Sequence, residues 1–161
     1  TSTIFFSTGS GPWLPVSSGG GGGNSDIFGG QLTGVLAVPN TTETSVTPYT
    51  LLAPALYGVF AGGVYTASLD QKITFAITIS WAPGFAGGSR YLRIYSNGVL
   101  VAQDITDPDT SGVNPTTHQS NISLTLNSGD NVEARVYQDS GAGLTILSGV
   151  STTMSSSVVL L

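Results

Sequence analysis

The clearest signal along the chain is the alternation between residues 72 and 82, where Ile73, Phe75, Ile77, Ile79 and Trp81 are separated by Thr74, Ala76, Thr78 and Ser80. A period of two places the first set on one face of a β-strand and the second on the other. The apolar face predicts core, and the small polar face predicts an outer surface. Two hairpins follow. Asn97-Gly98, the pair best suited to two successive positive φ angles, lies between runs at 90–95 and 99–105. Ile122, Leu124 and Leu126 alternate with Ser123 and Thr125, Ser128-Gly129-Asp130 reverses the chain, and Val132, Ala134 and Val136 continue the apolar face. Further runs at 32–38, 43–50, 57–61 and 144–147, with a hydrophobic terminal strand at 157–161, bring the expectation to about eight to ten strands. No stretch carries the helical period, and no repeat of fixed length argues for a propeller or solenoid. The pattern predicts an all-β domain, a two-sheet antiparallel jelly-roll sandwich.

The first thirty residues follow a different pattern. Gly9, Gly11, the glycine run 19–23, Gly29 and Gly30, interleaved with serine, describe a tether with high backbone entropy. Ile4, Phe5, Phe6, Trp13 and Leu14 are embedded in it, bulky side chains that a solvated linker does not ordinarily carry. They either fold back onto the chain's own domain or dock on a partner. The expectation is an anchoring arm at 1–30 followed by a jelly-roll domain at 31–161.

Composition narrows the function. Charged residues are 8% of the chain against a usual figure of about 25%, so the surface is built from hydroxyls and amides. The net charge is −5, and the four cations, Lys72, Arg90, Arg93 and Arg135, are scattered in sequence, which disfavours nucleic acid. The chain has no cysteine, so thiol catalysis and disulfides are excluded. Residues 1–13 lack the cationic start of a signal peptide. The uncharged stretch 51–67 is interrupted by Pro54, Gly58, Gly62 and Gly63 and falls short of a span, so no membrane partner is expected.

Catalytic chemistry finds little to work with. Any Ser-His-Asp arrangement would need the single His118, placed at a loop-to-strand boundary, and the one Gly-Ser-Gly, residues 9–11, sits in the tether. The acids offer no pair set across a cleft, and no enzyme activity or cofactor is expected. Asp104, Asp107 and Asp109 have the alternating oxygen spacing a calcium ion uses, but they lack the glycine and terminal Glu of an EF-hand and read as solvating a long loop. The glycine run lacks the Lys-Ser/Thr of a phosphate loop. Asn40-Thr41-Thr42 and Asn121-Ile122-Ser123 match a glycosylation pattern that carries no weight without a secretory signal.

The order of several segments resembles a known family. Residues 38–46 (Val-Pro-Asn-Thr-Thr-Glu-Thr-Ser-Val), 64–67 (Val-Tyr-Thr-Ala), the strand ending Ile79-Ser80-Trp81, residues 88–94 with Asn97-Gly98, residues 126–132, residues 136–141 and the hydrophobic end are similar to the jelly roll of tumour necrosis factor and the complement globular heads. The likeness is strongest to versions on phage virion proteins, and it covers residues 32–161. It implies a homotrimer in which the sheet carrying both chain ends faces the threefold axis. Thr74, Thr78 and Ser80 would then allow close subunit approach, and Tyr65, Tyr91, Tyr95 and Tyr137 would supply contact area. The implied function is a non-enzymatic virion protein on the capsid surface, a decoration or cement protein or head-fibre knob held on a shell protein by its arm. A receptor- or carbohydrate-binding tail-fibre tip, using Phe85 in a loop against a host surface glycan, is the alternative, together with a bacterial surface adhesion module.

Overall fold

The structure, a computed structural model, describes residues 4–6, 14–16, 25–53, 57–84, 87–108 and 112–161. Fifteen strands are present among them: β1 (Ile4–Phe6), β2 (Leu14–Val16), β3 (Ser25–Leu32), β4 (Leu36–Val38), β5 (Thr44–Ser45), β6 (Tyr49–Ala53), β7 (Gly58–Ala61), β8 (Val64–Ala67), β9 (Gln71–Trp81), β10 (Arg90–Ser96), β11 (Val99–Thr106), β12 (Thr116–Leu126), β13 (Asn131–Gln138), β14 (Leu144–Ile146) and β15 (Gly149–Leu160). They build a jelly-roll sandwich of two antiparallel sheets. One sheet runs β11-β10-β13-β8-β7, with β5 also on β13. The other runs β4-β14-β9-β15-β3-β6, with β12 on β9. A separate pair, β1 and β2, is antiparallel with Phe5 opposite Pro15.

The alternation in β9 does what the sequence predicts. Ile73, Phe75, Ile77, Ile79 and Trp81 are buried and join Leu92 and Ile94 of β10 and Val132, Ala134 and Val136 of β13 in one core. Each of the larger aliphatic side chains among them contributes about 1.5–3 kcal/mol when fully buried. The β10–β11 hairpin turns on Asn97 and Gly98 with φ of 50° and 76°, the left-handed pair that its right-handed twist requires.

Several boundaries differ from the sequence reading. The run at 32–38 is divided by a bend into β3 and β4, and the run at 43–50 is divided at Pro48, which has no N–H for a ladder, into β5 and β6. β12 begins at Thr116, so His118 lies within a strand and not at its boundary, and its side chain is fully buried. β3 begins at Ser25, within the segment the glycine pattern assigns to the arm, because residues 25–30 pair along β15 from Val159 to Met154. The terminal strand is longer than 157–161. It runs from Gly149, with Val158 buried between Ile73 and Asp26 in register.

Candidate interaction surfaces

The sandwich has two outer faces of different chemistry. On the sheet that holds the terminal strands, β9 lies between β12 and β15. Thr78 sits between Gln119 and Thr153, Ala76 between Asn121 and Ser155, and Thr74 between Ser123 and Ser157. Small side chains in three neighbouring strands leave a shallow depression of about 280 Å³ lined by Ala76, Thr78, Asn121 and Ser155 among others. Hydroxyls pair with one another beyond its two ends, between β9 and β12. Thr74 Oγ1 is 3.0 Å from Ser123 Oγ, and Ser80 Oγ is 3.3 Å from Thr117 Oγ1. Ser80 itself is buried, its backbone N–H donating to Thr152 Oγ1.

The opposite sheet presents arginine and tyrosine. In β10 the outward positions are Tyr91, Arg93 and Tyr95, and in β13 their register partners are Tyr137, Arg135 and Glu133. The Arg93 guanidinium lies 5.0 Å from the Tyr91 ring centre and 4.9 Å from that of Tyr137, while Arg135 lies 4.5 Å from Tyr95. Such stacking holds the planar cations against the ring faces. Tyr91 and Tyr137 meet edge to face at 5.3 Å. Glu43, carried in just ahead of β5, accepts from Tyr95 Oη at 2.6 Å and from both arginines. Partial burial opposes its ionisation, but hydrogen bonds from Tyr95, Arg93 and Arg135 outweigh that and hold its carboxyl below the usual range. Arg135 also pairs with Glu133.

Between these faces, β11 forms the edge of its sheet and exposes Val99, Leu100, Val101 and Ile105. A bulge where Tyr95 pairs Leu100 while Ile94 pairs Ala102 leaves Val101 as the extra residue. Four large aliphatics on one edge strand are a concentration that monomeric surfaces seldom carry.

The sequence-predicted residues are thus divided. Thr74 and Thr78 lie on the hydroxyl face, whereas Tyr91, Tyr95 and Tyr137 lie on the other sheet's outer face, so one flat contact cannot engage both groups. Tyr65 is a correction: it is fully buried, its hydroxyl bonded to the Gln71 side chain, and it has no surface to offer a neighbour. Ser80 is likewise buried in the subunit. Ile4, Phe5, Phe6 and Leu14 are described only as backbone in β1 and β2, while the Trp13, Phe85 and Asp109 expectations fall outside the described residues. Asp104 and Asp107 have separate partners, His118 and Ser89 respectively. Among the described residues no three His, Asp or Glu side chains come together as a metal site. The sequence reading missed the Glu43 cluster, although Tyr91-Arg93-Tyr95 and Arg135-Tyr137 at spacing two already marked a common outer face.

No family model matches the chain, and no curated protein matches it in sequence. Solved structures do match its fold. Murine APRIL superposes with a TM-score of 0.64 at 8% identity over 85% of this chain and all of that one (100%). The PRD1 vertex protein P5 superposes with a TM-score of 0.62 at 10% identity over 88% of this chain and 100% of that one. The globular domain of the zebrafish complement 1qA protein gives a TM-score of 0.57 at 15% identity over 84% and 97%. At such identities the likeness speaks for the fold. The chain has the jelly roll of tumour necrosis factor and the complement heads, a fold also present in a phage vertex protein.

Proposed function

We propose that the chain is a non-enzymatic structural protein of a virion. In this reading it is a homotrimeric jelly-roll knob on the capsid surface, a decoration or cement protein or a head-fibre knob, held on a shell protein through its N-terminal arm. The observation that carries the reading is the pairing of this fold, shared with a phage vertex protein, with the smooth Thr-Ser-Ala face of the sheet that holds β3 and β15. Small side chains allow backbones of neighbouring copies to approach closely, and the apolar β11 edge of one copy would bury against that face of the next. The low charge fits, because few ions would need desolvation in a crowded array. In the arm, Ile4, Phe5, Phe6, Trp13 and Leu14 would dock on the shell, each weak contact reinforced by linkage within a trimer.

Two experiments test this. Light scattering after gel filtration is expected to give three times the chain mass. A variant lacking residues 1–24, which leaves β3 whole, is expected to remain trimeric and to lose attachment to particles stripped of the protein. Full occupancy by the truncated protein would refute arm anchoring.

The Tyr91-Arg93-Tyr137 arrangement favours a second reading, a receptor- or glycan-binding tip, because a guanidinium held in place by two aromatic rings offers fixed donors to sugar hydroxyls. Specific glycan-array binding abolished by Tyr91→Ala would move this reading ahead of the first.

A further inference from the structure

His118 is the chain's only histidine, and the structure buries it between the two sheets. Its Nδ1 lies 3.0 Å from Asp104 Oδ2 of β11, whose side chain is 35% exposed against 0% for the histidine. β11 and β12 belong to different sheets and share no ladder. Among the described residues this is the only side-chain hydrogen bond that joins them. The neutral imidazole therefore donates from Nδ1 to the carboxylate and turns Nε2 into the core, where it has no partner among the described residues.

The surroundings are arranged against a second proton. β9 presents Ile79, directly opposite His118 in register, and Trp81, whose ring meets the imidazole edge to face at 6.4 Å. Neither titrates in the relevant range. β10 contributes Arg90, buried and lying 6.0 Å over the Trp81 ring. Thr116 and Ser120, the same-face neighbours on β12, are uncharged. Asp107 and Asp139 accept from Ser89 instead. Among the described residues Asp104 is thus the sole carboxylate bonded to the ring, and it lies at the solvent edge. Protonation at Nε2 would place a buried N–H, with no acceptor among the described residues, in the field of the Arg90 cation. Movement of β11 away from β12 relieves both penalties by admitting water.

We propose that His118 and Asp104 form an acid-sensitive latch that holds the edge strand β11 against β12, and that acidification releases it. The strand so released is the one that exposes Val99, Leu100, Val101 and Ile105, so the latch sets whether this apolar edge is presented in one fixed shape. Desolvation, joined by the Arg90 charge and opposed by Asp104, holds the imidazole below its ordinary value of 6.5. A base with a depressed folded pKa binds fewer protons than the unfolded chain. Its contribution is therefore complete above that ordinary value and declines as the pH falls below it. The latch does not depend on the virion reading, since it concerns one subunit's two sheets.

Because there is one histidine, its imidazole signals in the full chain are unambiguous by NMR. Titration with parallel amide hydrogen exchange, corrected for intrinsic rates, tests the latch. The imidazole is expected to titrate below its ordinary value, with β11 amides losing about tenfold in protection between about pH 7.5 and about pH 5 while β8 and β13 lose less. In His118→Gln, whose Nε2–H can donate to Asp104 without titrating, this acid-dependent loss is expected to vanish. An equal loss in His118→Gln, or a wild-type imidazole titrating at or above its ordinary value, would overturn the latch. Should His118→Gln fail to fold, Asp104→Asn decides. Removal of the counter-charge is expected to move the His118 titration further down, and an unchanged or raised titration would refute the proposal.

Discussion

Arg93 and Arg135 stand directly opposite each other across the β10–β13 ladder, and Glu43 bridges them, its Oε1 2.9 Å from Nη1 of Arg93 and its Oε2 3.2 Å from Nη1 of Arg135. Like charges placed directly across an antiparallel pair repel. Here one carboxylate from a distant segment converts the pair into a three-residue network and fixes the strand entry at β5 to the sheet. The cluster holds four of the chain's thirteen charged side chains, Glu133 included, and gathers three ion pairs on one face.

Glu43→Gln is therefore expected to lower stability by about 1–2 kcal/mol, through loss of charge-assisted bonds and the exposed Arg93–Arg135 repulsion. The depressed carboxyl gives the wild-type protein stability that is complete above the ordinary value of 4.5 and is lost as the pH falls through the lower folded value. Chemical denaturation from neutral to acidic pH should show that decline in the wild type and a reduced one in the variant.

Gly58 has no room for a side chain. A Cβ there would land on the Tyr65 ring, which is itself buried and bonded to Gln71. Gly58→Ala must displace β7 or the tyrosine and is expected to cost about 1–3 kcal/mol. The shift in urea midpoint at unchanged m-value measures it.

If copies associate through the hydroxyl face, a large charge in its centre breaks the assembly without touching the core. Thr78→Arg, on the rim of the shallow depression, is expected to yield a folded monomer by light scattering with an unchanged circular dichroism spectrum. Arg introduced at Tyr137, on the opposite face, should leave the trimer intact. A trimeric Thr78→Arg protein would direct attention to the other face.

Removal of residues 158–161 takes out Val158, fully buried between Ile73 and Asp26 in register, together with the pairing of Val159 and Leu160 to Lys72 and Gln71. Loss of a cooperative thermal transition is the expected result, and an unchanged transition would contradict the strand's structural role.

Much of the molecule was legible in the chain. The alternation in β9 and the Asn97-Gly98 turn depend on interactions between near neighbours, so local pattern suffices to read them. The start of β3 at Ser25 was not legible, because the glycines that suggest a tether also serve a strand in close contact with its neighbours. A Cβ at Gly29 or Gly30 would approach the Met154 or Thr50 carbonyl oxygen at 3.3 or 3.2 Å. Composition cannot distinguish glycine kept for freedom from glycine kept for space.

The four tyrosines show the same limit. Alternation separates the two faces of each strand, yet it does not say which face the opposing sheet will cover. Tyr65 turned inward to Gln71, while Tyr91, Tyr95 and Tyr137 turned outward beneath the arginines. Strand period, turn chemistry and the poverty of charge belong to the sequence alone, because each is set by covalent neighbours or by counting. Which strands became edges, how Glu43 met arginines 50 and 92 residues away, and how His118 came to lie between sheets beside Asp104 were decided only when the two sheets packed. These contacts join segments far apart in the chain, and the core that brings them together is a property of the whole fold.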